Sequence, residues 1–63
     1  MKTYLVMVEG LVKRYISVKA KNKLQAEDFA AEDFCLFEEI EPYLINQSEA
    51  VDENHELLSE ENV

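Results

Sequence analysis

Among its 63 residues the chain has one glycine, one proline, one cysteine, one histidine and no tryptophan. A lone Cys35 forms no internal disulfide, so the stapled framework of small secreted domains is excluded and a reducing, cytoplasmic setting is expected. With a single glycine, a Gly-rich phosphate loop and the Gly-x-Ser-x-Gly nucleophile turn are both missing. One cysteine and one histidine likewise preclude Cys-x-x-Cys and His-Glu-x-x-His. No stretch approaches the roughly 18 apolar residues of a membrane span. The stretch from Tyr4 to Val12 is interrupted by Glu9 and Gly10 and lacks a small-residue cleavage site, so it is not read as a signal peptide.

The most informative absence is that of basic residues beyond Lys23. All six (Lys2, Lys13, Arg14, Lys19, Lys21 and Lys23) lie in residues 1–23, which carry a net charge of +5, and residues 24–63 carry −13. The chain is a charge dipole in sequence. Its overall charge of −8 is repelled by phosphate backbones and anionic membranes, which disfavours nucleic acid and lipid as partners. The opposite charges of the two halves also prompt the idea of the acidic tail folding over the basic hairpin.

At this length there is room for one domain, and about 60% of its surface is buried on folding, the low end of what folds alone. Thr3 to Glu9 and Lys13 to Ala20 are rich in β-branched and aromatic residues and flank the glycine, which predicts a hairpin. Register follows from which faces become apolar. A two-residue loop sets Tyr4, Val6 and Val8 opposite Ser17, Tyr15 and Lys13, mixing core with charge. A three-residue loop at Gly10 to Val12 opposes Tyr4 to Val18, Val6 to Ile16 and Val8 to Arg14, leaving Met7 opposite Tyr15 and Glu9 opposite Lys13 on the other face. The second register is expected, with an ion pair between Glu9 and Lys13.

Asn22 followed by Gln25 has capping-box spacing and predicts a helix from about Lys23. Ala26, Phe29, Ala30, Phe37 and Ile40 fall on one side of it, with Asp33 projecting into that stripe. A break or bend between Glu32 and Phe37 is therefore expected, and Pro42 ends any helix by Glu41. Tyr43-Leu44-Ile45 either adds a short third strand or begins another helical turn. Residues 47–63 are acidic, with Ala50, Val51, Leu57 and Leu58 spaced for a short helix capped by Ser48, and a disordered end is the alternative. The expected architecture is an α+β domain over residues 1–46, a β-hairpin with one packed helix (ββα), followed by the acidic C-terminal segment 47–63.

Candidate chemistry is sparse. Cys35 and His55 are the only nucleophile and base, and Cys35 sits among acids and aromatics, which favours an inert thiol. Asp52-x-x-His55 has the spacing of two metal ligands but lacks a third. Asp52-x-Asn54-x-Glu56 imitates a calcium loop, yet Leu57 stands where the loop needs glycine and Val63 where it needs glutamate. Glu27, Asp28, Glu32, Glu38 and Glu39 read as a solvated face. No catalytic residue, metal or cofactor is expected. The one candidate surface is an apolar spot rimmed by lysines on the outer hairpin face: Leu5, Met7, Lys13, Tyr15 and Lys19.

Met1-Lys2-Thr3-Tyr4, the acid at Glu9, Tyr15-Ile16-Ser17-Val18-Lys19-Ala20 and the helix capped by Asn22 with Ala26 together resemble the small DpnD/PcfM-like proteins of phages and mobile elements. The chain differs from them at the helix start, where Lys23, Leu24 and Gln25 stand in place of acids. The resemblance implies a compact strand–strand–helix accessory protein without assigned activity, and no site residues. The functional expectation is a non-enzymatic interaction protein with a protein partner, self-associating as a homodimer because a two-stranded sheet leaves both edges open. The alternatives are an acidic nucleic-acid mimic that occupies a basic cleft on an enzyme, and a nucleic-acid binder using the lysine-rich hairpin.

Overall fold

The computed structural model describes residues 1–58. Strands β1 (Lys2–Glu9) and β2 (Lys13–Ala20) form the hairpin, helix α1 spans Lys23–Glu38, a 3-10 turn spans Pro42–Leu44, and β3 spans Gln47–Val51. The fold is α+β, a three-stranded antiparallel sheet in the order β2-β1-β3 with one helix packed on it.

The hairpin takes the three-residue-loop register, with Tyr4 opposite Val18, Val6 opposite Ile16 and Glu9 opposite Lys13. Even-numbered positions therefore face the helix, and Tyr4, Val6, Val8, Val18 and Ala20 are buried there while Ile16 is partly so. Glu9 and Lys13 oppose each other in the ladder but form no ion pair among the described residues.

The helix begins as the capping pattern requires. Asn22 Oδ1 accepts from the Gln25 N–H at 2.8 Å, and Gln25 Oε1 accepts in return from the Lys21 N–H. The expected interruption between Glu32 and Phe37 does not occur, because the buried stripe differs from the one expected. Ala26, Ala30 and Phe34, at i, i+4 and i+8, face the sheet, whereas Phe29 and Phe37 are exposed. The two alanines let the helix lie close to the strands, and Phe34 fills the wider space at its end. Asp33 thus sits on an open flank and has no reason to break the helix. Gly10 completes this packing: a Cβ there would lie 3.1 Å from the Leu44 carbonyl oxygen and 3.3 Å from the Phe34 ring. The helix ends at Glu39, in the left-handed region with φ 57°, and the Ile40 N–H donates back to the Cys35 carbonyl.

In the C-terminal half one open alternative is decided and one expectation needs correction. Of the two readings of Tyr43-Leu44-Ile45 the helical turn is the one found, since Pro42 starts a 3-10 turn that runs through Leu44. The strand instead lies in Gln47–Val51, inside the segment expected as helix or disorder, with Ala50 opposite Val6 and Val51 opposite Leu5. Ala50 is buried in the core, so the unit packed with the helix extends through residue 51 rather than ending at 46. Beyond β3 the chain turns at Asp52, whose Oδ1 accepts from the N–H groups of Asn54 and Glu56. It returns so that Leu57 bridges Val51. Residues 59–63 of the expected acidic segment lie outside the described residues.

Candidate interaction surface

The two edges of the sheet are treated differently, and backbone bookkeeping shows how. Ala50 directs its N–H to Glu27 Oε2 (3.0 Å), and its carbonyl accepts from the Leu58 N–H (3.0 Å), so both its backbone groups point away from β1. Val6, opposite Ala50, must then turn its own N–H and C=O toward β2, because antiparallel residues alternate between the two neighbours. In β2 the even positions consequently face β1. Lys13, Tyr15, Ser17 and Lys19 present their N–H and C=O groups at the outer edge, where no described element pairs with them.

Glu27 was expected on a solvated face. Instead its side chain is only 14% exposed, and its Oε2 holds both Lys23 Nζ (2.8 Å) and the Ala50 N–H, while its carbonyl accepts from Ser48 Oγ. The Lys23-x-x-x-Glu27 spacing was the available signal, since an i, i+4 pair places that carboxylate on the helix side beside a cation. The β3 edge is therefore occupied and the β2 edge is open.

The residues expected as a patch, Leu5, Met7, Lys13, Tyr15 and Lys19, do share the outer face. Its apolar centre, however, is covered from within the chain. His55 stacks on Tyr15 with ring centroids 4.0 Å apart and planes 18° apart. Since β3 and β2 flank β1 on opposite sides, this contact carries the loop after β3 across the outer face of β1. Met7 and Val51 are buried and Leu5 half-buried, leaving Lys13, Lys19 and part of Tyr15 accessible. The loop after β3 thus folds over the outer hairpin face through an aromatic stack.

The larger apolar exposure lies on the helix side. Leu36 is 78% and Phe37 77% exposed. Phe29, Asp33 and Phe37 follow at helical spacing along one flank of α1. Between this flank and β2 runs a groove of about 530 Å³ whose lining includes Ile16, Phe34, Leu36 and Phe37. Arg14 crosses its end, paired with Glu38 at 2.8 Å and lying 5.8 Å from the Phe37 ring centroid. A second groove of about 540 Å³ lies on the other flank, its lining including Asp28, Ala31, Glu32, Cys35, Leu36 and Ile45.

The structure separates the chemical candidates. Cys35 lies on the helix side of the sheet and His55 on the opposite face. Asp52 is engaged by backbone N–H groups in a turn, not one helical turn from His55. Among the described residues no group of three or more His, Cys, Asp or Glu is placed to hold a metal, and no helix is long and apolar enough to cross a membrane. Comparison with protein-family models, curated proteins and solved structures yields no match for this chain.

Proposed function

We propose that this chain is a small non-enzymatic interaction protein, of the cytoplasmic, phage or mobile-element accessory type, whose partner is another protein. The observation that carries this reading is the exposed apolar flank of α1, Leu36 and Phe37 above all, lying beside an unpaired strand edge. Large exposed side chains clustered on one face, with a groove between them, favour a protein contact over an ordinary solvated surface.

The other readings are less well supported by the same geometry. A nucleic-acid mimic needs its acids free on one continuous face, but Glu27 and Glu38 are engaged inside the molecule. A single-strand binder needs an aromatic platform for bases, and His55 already occupies one face of Tyr15. A strand-paired homodimer loses part of its motive because β3 covers one of the two hairpin edges within the chain, leaving the β2 edge open.

The test is selection from a displayed library of random twelve-residue peptides against the full chain. Selected peptides should bind a Phe37→Ser variant at least tenfold more weakly, with the variant's fold checked by circular dichroism. Failure to enrich any peptide, or equal binding to the variant, overturns the reading.

A further inference from the structure

The open β2 edge and the groove above it can be engaged together by one kind of ligand. We propose that β2 accepts an extended peptide strand in which acidic and apolar residues alternate, adding a fourth strand to the sheet. This rests on the interaction-protein reading and names the chemistry of the partner.

The backbone supplies the affinity. Lys13, Tyr15, Ser17 and Lys19 offer four outward N–H and C=O pairs over seven residues, a length of roughly 23 Å at about 3.3 Å per residue. Addition of a strand to an exposed edge satisfies such a row, with alternate side chains giving specificity.

The two faces of the edge then dictate the sequence. On the outer face stand Lys13 and Lys19, both exposed and neither ion-paired among the described residues. Ligand residues on that face are acids, since opposite charges across a strand pair stabilise it. On the helix side the added strand runs beside Ile16 and the Phe29 and Phe37 flank, where apolar side chains are matched. Asp33 borders that side without an ion-pair partner among the described residues and repels acids from it, while the Arg14 guanidinium there is already taken by Glu38, which favours charge on the other face of the ligand.

A second copy of the chain fits this edge poorly. With both helices on one side of the joined sheet, the near full-length self-pairings of β2 centre on Ile16 or on Ser17. The first opposes Lys13 to Lys19, like charges that destabilise a strand pair when directly opposite, and the second leaves Lys13 without a strand partner because Lys21, opposite it, lies beyond the end of β2.

The experiment is a titration of the ¹⁵N-labelled full chain with a blocked nine-residue peptide of alternating Glu and Val, read by amide shifts and hydrogen exchange. The expected result is at least tenfold slower exchange at the Lys13, Tyr15, Ser17 and Lys19 amides at saturation. An alternating Lys-Val peptide should give no such protection, and Lys19→Glu should weaken binding of the Glu-Val peptide at least fivefold.

Shifts confined to Leu36 and Phe37 without protection of those four amides overturn strand addition and leave the interaction-protein reading standing. No response to the Glu-Val peptide overturns strand addition as well, and the library selection decides separately whether the broader reading survives. Protection of the same amides in the free protein, rising with its concentration, assigns the edge to a second copy and overturns the proposal. An oligothymidine that displaces the Glu-Val peptide and itself produces the larger shifts at Lys13 and Lys19 overturns it in favour of nucleic acid.

Discussion

Glu27 shows how one side chain can tie two elements together. It lies in the second turn of α1, pairs with Lys23 on its own helix, and accepts the N–H of Ala50 from β3. Ala50 is fully buried, so removing its acceptor leaves a donor without water, which costs about 1–3 kcal/mol. Glu27→Ala should therefore lower the thermal midpoint by several degrees, taking roughly 4–8 °C per kcal/mol for a domain of this size. Glu27→Gln keeps an amide oxygen for Ala50 and loses only the ion pair with Lys23, worth about 0.2–0.5 kcal/mol. Its midpoint should stay close to that of the parent in a calorimetric melt. Equal losses in the two variants would show that the charge, not the hydrogen bond to β3, is what Glu27 contributes.

At the scale of elements, α1 ends on a residue poorly suited to its backbone. Glu39 adopts φ 57° to let the Ile40 N–H reach the Cys35 carbonyl, a conformation that costs an L side chain roughly 1–2 kcal/mol. Glycine adopts it freely but loses more entropy on folding, about 0.5–1 kcal/mol. Glu39→Gly should stabilise the protein by about 0.5–1 kcal/mol, read as a higher urea midpoint at unchanged slope. An unchanged or lower midpoint would contradict this. The hairpin register and the helix start were legible in the sequence because local rules decide them: face composition for Tyr4, Val6, Ile16 and Val18, and capping chemistry for Asn22 and Gln25. The helix face was not. Phe29 and Phe37 outrank Phe34 in an apolar count, yet Phe34 is the aromatic that meets the gap beside Gly10, and that gap exists only once the Leu44 carbonyl has come close to the turn. The third strand was hidden for a related reason. Gln47–Val51 holds only two strongly apolar residues, Ala50 and Val51, and its strand character comes from the long-range ladder with β1. Of the candidate surface, the lysine row was visible as an alternation, while the open β2 edge became visible only when β3 was placed on the other side of β1.

For the whole molecule, the decisive question is what β3 contributes to folding. An isolated two-stranded hairpin is marginal in water and needs a packed helix or a third strand to be stable, and this chain has both. Here β3 pairs with Leu5, Met7 and Glu9, fills the core with Ala50, and takes a carboxylate from the helix. The loop after it adds a separable layer, the His55 stack on Tyr15 that covers the outer face. Two truncations distinguish these contributions. A chain ending at Asn46 leaves the β3-facing backbone of β1 and the Val6 side of the core open, and should show no cooperative thermal transition by circular dichroism. A chain ending at Val51 retains the ladder and the Ala50 contact with Glu27 but loses the outer cover together with the Leu58 N–H bond to the Ala50 carbonyl and the Leu58 packing on the core, so it should melt cooperatively at a lower midpoint with Met7 exposed. A cooperative melt of the shorter chain near the parent midpoint would instead make the hairpin and helix self-sufficient and β3 an attachment. In that case the β1 edge freed by its removal would be a second docking edge beside β2. The two edges would still differ in chemistry, because no lysine lies on the β3 side of β1 between Thr3 and Glu9, whereas β2 carries Lys13 and Lys19 along its open edge.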